Sequence, residues 1–310
     1  MNRHIIILMF SLLTNICNGQ KDFKPKIEKV FLDKSDTSKN CYIIILPPKI
    51  PCTGYLFLIP GFRETAENVL RQTDLPKKLA QNGILTIIPT FQDGVLSFGV
   101  DSLSQESLEK IIDDVTSKNK IANPSFYIGG FSIGGSCAIK YAENSILKPT
   151  AVFAIDPPLD FERFYNSAKR EIRLSKDREA NPESIYMIDR IEKETGGNPQ
   201  TKINEYYKLS PYSYSDTAQT EIKKIIDISL RIYTEPDINW WLKERGADLT
   251  SMNATECSAM INELNRLGNK NAELITTLNK GYRKPGNRRH PHSWSIVNND
   301  ELIKWLLKHR

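Results

Sequence analysis

One serine of the chain lies between two glycines, in the segment 130–134 (GFSIG), which matches the pattern G-x-S-x-G. The apolar residues 126–128 predict the end of a buried strand, and the apolar spacing of 132–143 predicts a helix. A serine on such a tight turn has its hydroxyl lifted into the open, and only small flanking residues fit beside it. The pattern therefore predicts a nucleophile at Ser132, with the amide of Ile133 as a donor to a developing oxyanion.

A serine hydroxyl is a weak nucleophile, so the chain must also supply a base, usually an imidazole. Apart from His4 near the N-terminus, the sequence contains His290, His292 and His309. His309 is the penultimate residue, at the end of the last helix-like segment. The other two lie in the loop before that helix, where a base is expected if the serine follows the fifth strand. We favour His292 and keep His290 as the alternative.

The acid that orients the base is expected between the serine and the histidine in chain order, at the end of a strand. The strand-like segment 226–234 is followed by Glu235 and Asp237. Asp237 lies one loop turn beyond the strand and is the first choice. Glu235 and Asp156, which ends the segment TAVFAID, remain alternatives, although Asp156 is also suited to capping the segment that follows.

A second amide donor to the oxyanion is expected in the loop after the third strand. This loop reads LIPGFRETAENV, in which Gly61 permits close backbone approach. The sequence therefore predicts the N–H of Phe62 as the partner of the Ile133 amide.

Short apolar segments alternate with helix-like segments through most of the chain, which predicts a mainly parallel sheet covered on both faces. Between 157 and about 224 the sequence is polar and charged, with helix-like pieces at 161–173 and 183–194, and the alternation then resumes. We interpret 157–224 as an insertion into one domain that spans 20–310. The predicted strands are 23–33, 41–46, 55–61, 84–91, 125–130, 150–156, 226–234 and 272–278; the predicted helices include 66–82, 102–119, a helix or helix pair over 239–267, and 301–309.

The serine turn, the acidic turn after 226–234 and the HSW motif at 292–294 together resemble the α/β-hydrolase superfamily over nearly the whole chain. The resemblance implies an α/β fold with a mostly parallel eight-stranded sheet, flanking helices and a helical cap inserted after the sixth strand. It also implies a Ser-His-Asp triad of Ser132, His292 and Asp237. One departure is Pro60-Gly61, where many members have His-Gly.

The N-terminal segment predicts export. Residues 1–19 combine a basic start, a short apolar run and small residues near Gly19, as in a secretory signal peptide. We expect cleavage after Gly19, a periplasmic or extracellular location, and no stable membrane insertion after cleavage. The cysteines 41, 52, 137 and 257 then remain, and their spacing predicts no obligatory disulfide.

Composition excludes several other classes of function. A net charge of +5 over 310 residues, with basic and acidic residues interleaved, does not favour nucleic-acid binding. The basic loop 283–290 (RKPGNRRH) is interpreted as a solvated surface. No cofactor is expected, because four histidines are too few for a zinc cluster and 129–135 lacks the lysine of a phosphate loop.

These features predict a secreted serine hydrolase that cleaves carboxylic esters through an acyl-enzyme intermediate. The expected substrates are small esters or esters linked to carbohydrate, because the charged insertion does not resemble a lid made for an oil surface. Two alternatives remain: a small aminopeptidase or amidase of the same fold, and a catalytically silent binding protein.

Overall fold

The computed structural model describes residues 24–47, 51–175 and 181–310. The predicted signal segment 1–19 lies outside the described residues. The centre of the molecule is an eight-stranded sheet in the order β1-β2-β4-β3-β5-β6-β7-β8, in which β2 runs antiparallel to β1 and β4 and the remaining neighbours are parallel. The strands are β1 (Lys26–Phe31), β2 (Cys41–Leu46), β3 (Gly54–Ile59), β4 (Ile84–Thr90), β5 (Ser125–Phe131), β6 (Ala151–Ile155), β7 (Ser229–Thr234) and β8 (Ala272–Thr276).

Every predicted strand is present, and the central strands β3, β5 and β6 are buried along their whole length because helices cover both faces of the sheet. On one face, the sheet is covered by apolar residues of α3 (Ser102–Lys118), α4 (Ile133–Asn144) and α9 (Ala254–Arg266). On the other face, it is covered by those of α1 (Ala66–Gln72), α2 (Leu75–Gln81) and α10 (Asn299–Lys308). None of the helices in the described ranges is long and apolar enough to cross a membrane. A further helix outside the insertion, α8 (Ile238–Arg245), follows β7.

The single helix predicted over 66–82 is wrong, because the segment forms two helices. Helix α1 ends at Gln72, and Thr73 adopts an extended conformation with φ −136° and ψ 145°. Pro76 lies in the first turn of α2. A proline is well tolerated in a first helical turn but would interrupt the hydrogen bonding of a continuous helix, so the chain starts again at Leu75.

Three helices, α5 (Phe161–Leu174), α6 (Pro182–Thr195) and α7 (Pro199–Leu209), lie between β6 and β7. Helices α5 and α6 agree with the predicted pieces. Helix α7 was not predicted; its start is marked by Asn198, whose side chain caps the Thr201 N–H, and by Pro199 in the first turn. The three helices share a small apolar cluster that includes Phe161, Met187 and Tyr206.

The segment between β8 and α10 forms a two-stranded hairpin, β9 (Tyr282–Arg283) and β10 (Arg288–Arg289). His290 and His292 follow directly after β10. The hairpin therefore sets the position of the loop that carries both candidate bases between β8 and α10.

Candidate active site

Ser132 occupies a strained turn between β5 and α4, with φ 54° and ψ −128°. This left-handed backbone conformation is uncommon for a residue with a side chain and is typical of functional turns. The amide of Ser132 donates to the carbonyl of Ile155 on β6 at 2.8 Å, which ties the turn to the neighbouring strand.

The two glycines around Ser132 are required by packing. A Cβ atom at Gly130 would lie 2.5 Å from the carbonyl carbon of Gly134, and a Cβ at Gly134 would overlap the carbonyl oxygen of Ile59 on β3. Any side chain at either position would force the helix away from the sheet. The close approach that the sequence pattern predicted is therefore present.

His292 is oriented by a carboxylate at the end of β6. Its Nδ1 lies 2.6 Å from Oδ2 of Asp156, and Oδ1 of Asp156 accepts a hydrogen bond from the Thr234 hydroxyl at 2.8 Å. Asp156 itself has a positive φ of 47°, and its amide donates to Tyr233 on β7. The bond from Nδ1 to a carboxylate favours the tautomer that leaves Nε2 free to accept a proton.

This geometry corrects the preference for Asp237. The carboxylate of Asp237 caps α8 by accepting from the Trp240 N–H at 3.1 Å and lies 2.6 Å from Arg289 Nη2. Glu235 also faces Arg289, at 2.7 Å, and accepts from the Gly281 N–H. Both carboxylates are therefore bound to the hairpin, and Asp156 is the one that meets His292.

His290 is enclosed by side chains of helix α8. Its ring lies against Trp240 and Trp241, with centroid distances of 4.8 and 5.7 Å, and Arg245 Nη2 donates to its Nε2 at 3.3 Å. Burial, together with the positive charges of Arg283 and Arg245, lowers the pKa of His290 to about 2. A ring with so little basicity is poorly suited to taking a proton from serine.

Two backbone amides are available as oxyanion donors. Ile133 is the first residue of α4, so its N–H has no partner within the helix. The N–H of Phe62 makes no hydrogen bond to any described residue. Both residues line the same cavity as Ser132.

Glu64 holds the loop that carries Phe62, a role that the sequence did not reveal. Its carboxylate accepts from the Gly61 N–H at 2.9 Å and from the Trp294 indole N–H at 3.1 Å. Burial raises the pKa of Glu64, while these two hydrogen bonds oppose the change. The glycine at 61 is needed here, since a Cβ would lie 2.8 Å from the Phe131 ring.

Ser132, Asp156 and His292 all line one cavity of about 900 Å³. The ring of His292 lies over Phe131, the residue before the serine, with centroids 4.5 Å apart. The serine and the imidazole form no direct hydrogen bond in the structure; this bond is often long before a substrate binds. Helices α5, α6 and α8 form the outer walls through residues that include Phe161, Ala168, Met187, Trp241 and Arg245.

No group of three His, Cys, Asp or Glu side chains in the described ranges is arranged to hold a metal ion. The cavity presents a serine hydroxyl, an imidazole paired with a carboxylate, and two backbone amides. Such a set is suited to nucleophilic attack on a carbonyl carbon.

The chain has the α/β-hydrolase fold. Its structure is similar to an S-formylglutathione hydrolase from Agrobacterium tumefaciens (TM-score 0.54, 14% identity, 93% of this chain and 96% of that chain covered). It is also similar to the fluorophosphonate-binding serine hydrolase F of Staphylococcus aureus (0.56, 14%, 91% and 98%) and to a monoglyceride lipase from Saccharomyces cerevisiae (0.55, 16%, 93% and 96%). No family model and no curated protein matches the sequence.

Proposed function

We propose that the protein is a serine hydrolase that cleaves carboxylic esters, with Ser132 as nucleophile, His292 as base and Asp156 as the acid that orients it. The observation that carries the proposal is the 2.6 Å contact between His292 and Asp156 at the wall of the cavity that also exposes Ser132. The fold supports it, because the similar solved structures include esterases and lipases.

The reaction would proceed in two steps. Ser132 Oγ attacks the ester carbonyl while His292 Nε2 takes its proton, and Asp156 stabilises the resulting imidazolium. The amides of Phe62 and Ile133 stabilise the negative charge of the tetrahedral intermediate. His292 then gives the proton to the leaving alcohol, and a water molecule, activated by the same ring, releases the acid from Ser132.

The substrate class is proposed from the walls of the cavity. They mix aromatic residues, such as Phe62 and Trp241, with several charged side chains. We therefore propose small esters, including esters linked to carbohydrate. Export through the N-terminal segment 1–19 also remains a proposal, to be checked by N-terminal sequencing of the protein recovered from its natural location.

Turnover of a panel of nitrophenyl esters and aminoacyl anilides tests the function. We expect ester hydrolysis by the unmodified protein and a loss of at least about 10³-fold in Ser132→Ala and His292→Ala. His309→Ala serves as the matched control, since His309 bonds to the Trp305 carbonyl at the far end of α10. Turnover of anilides alone would favour the peptidase alternative, and no turnover of either would favour a binding protein.

A further inference from the structure

Two arginines of the cavity wall have no carboxylate partner. Arg245 ends α8 and Arg283 belongs to β9, and both line the cavity that contains Ser132. In the described ranges, neither guanidinium lies within 4 Å of a carboxylate. The other two arginines of the wall differ, because Arg163 pairs with Glu256 and Arg170 with Asp248.

The two unpaired arginines are held beside the candidate base by uncharged groups. Arg283 donates from Nε and Nη2 to the backbone carbonyl of His292, at 3.2 and 2.9 Å. Arg245 donates to Nε2 of His290, a ring that is 8% exposed and whose Nδ1 has no partner among the described residues. Since a guanidinium has five N–H donors, each arginine keeps donors that these contacts do not use.

The nearby carboxylates do not neutralise this pair. Glu235 is paired with Arg289, and Glu244 lies 3.7 Å from Lys243, whereas Glu64, Asp156 and Glu171 accept hydrogen bonds from Trp294, His292 and Ser184 and keep their charge. Glu183, at the start of α6, also lines the cavity and forms no ion pair with a described residue. In the described ranges, none of these carboxylates forms an ion pair with Arg245 or Arg283, so both guanidinium groups can pair with a charged group of a ligand.

We infer that Arg245 and Arg283 form a subsite for a negatively charged group, such as a carboxylate, on the substrate. The inference rests on the proposed function and narrows its substrate class to esters that carry an anion beside the scissile bond. Guanidinium groups bind carboxylates through paired, charge-assisted hydrogen bonds, which also fix the orientation of the bound group. The buried, neutral ring of His290 holds Arg245 in place without neutralising it.

The direct test compares 4-nitrophenyl adipate monoester with 4-nitrophenyl hexanoate, which has a methyl group in place of the carboxylate. A second pair, 4-acetoxybenzoate and 4-acetoxybenzamide, places the charge on the leaving group. We expect kcat/KM to be roughly tenfold higher for the charged member of at least one pair, with the preference shrinking as NaCl is raised. Equal values in both pairs would overturn the inference.

Variants identify the residues responsible. The preference should fall to about one in the double variant Arg245→Gln/Arg283→Gln and should persist in Arg288→Gln, which removes a charge from the same hairpin but does not line the cavity. Glu183→Gln should increase the preference, because it removes one of the negative charges near Arg283. An equal loss in Arg288→Gln and the double variant would show a general charge effect and contradict the subsite.

A binding measurement distinguishes a failure of this inference from a failure of the proposed function. Ser132→Ala, titrated with the same ester pairs in a calorimeter, should bind the charged member more tightly, and the additional Arg245→Gln change should weaken that binding. This result is expected even if the unmodified protein hydrolyses none of the esters, in which case the proposed function alone would fail. Equal affinity of Ser132→Ala for both members would contradict the subsite.

Discussion

The carboxyl ends of β6 and β7 are neighbours in the sheet, and each carries acidic residues, yet the two ends are built differently. At the end of β6, Asp156 bonds to a histidine and a threonine beside the cavity. At the end of β7, Glu235 and Asp237 both face Arg289 of the hairpin. A carboxylate paired with an imidazole can support proton transfer, whereas one paired with an arginine holds a permanent ion pair. The role of each carboxylate therefore depends on the side chain that it pairs with, and not on its position at the end of a strand.

The largest difference between the two ends should be in activity. We expect Asp156→Asn to lower kcat for ester hydrolysis by about 10³-fold to 10⁴-fold, because His292 would lose the group that fixes its tautomer and stabilises its charge. Asp237→Asn, measured in the same steady-state assay, is the matched control and should retain most of the activity. The reverse pattern would restore Asp237 as the acid.

The next effect should be in stability, at the end of β7. The side chain of Glu235 is fully buried and accepts hydrogen bonds from the Lys280 and Gly281 amides besides its ion pair with Arg289. Glu235→Gln should therefore lower the free energy of unfolding by about 2 kcal/mol, the typical contribution of hydrogen bonds to a charged group, while Arg289 keeps its ion pair with Asp237. Urea denaturation measures this change, and an unchanged midpoint would show that the ion pair contributes little.

His290 should make stability depend on pH. Its pKa is lowered to about 2 in the folded protein, against about 6.5 in an unfolded chain. Below pH 6.5 the unfolded state therefore binds more protons, so stability falls as the pH falls. Between pH 7 and pH 5 this should cost about 2 kcal/mol.

The matching variant is His290→Gln, which should lose stability less steeply over the same pH range. Urea denaturation of the unmodified protein and of the variant, at pH 7 and at pH 5, gives the four free energies of unfolding to compare. Parallel pH dependence in the two proteins would mean that the His290 ring is not buried beside Arg283 and Arg245 as the structure shows.

The smallest effect should come from Asp237. Asn is as good a helix N-cap as Asp, so Asp237→Asn keeps the cap of α8 and loses only the ion pair with Arg289. The side chains of Asp237 and Arg289 are each about one-fifth exposed. We expect the free energy of unfolding to fall by about 0.5 kcal/mol. Asp237→Ala, which also removes the cap, should lose more; a large effect of Asp237→Asn would mean that the carboxylate has a role beyond the ion pair.

Much of the fold could be predicted because its determinants are local. The apolar segments of the eight strands and the G-x-S-x-G turn each have a signature within a few residues of the chain. Helix α7 was missed although Asn198 and Pro199 are a local start signal for a helix.

The choice of acid could not be made in this way. Asp156 and Asp237 both follow strands that lie between the serine and the histidine in sequence, and the contact that distinguishes them joins residues 136 positions apart. Arg289, which neutralises Asp237, belongs to a basic loop that the sequence indicated only as a solvated surface. Long-range pairing between a hairpin and two strand ends has no signature in the neighbouring residues.

The central claim is that Ser132 is an activated nucleophile, and the most direct measurement is the site of covalent labelling by a fluorophosphonate. Peptide mass spectrometry of the labelled protein should find the adduct on Ser132, with no adduct on Ser132→Ala and slower labelling of Asp156→Asn than of Asp237→Asn. Failure of the unmodified protein to react, or an adduct on another residue, would contradict the account.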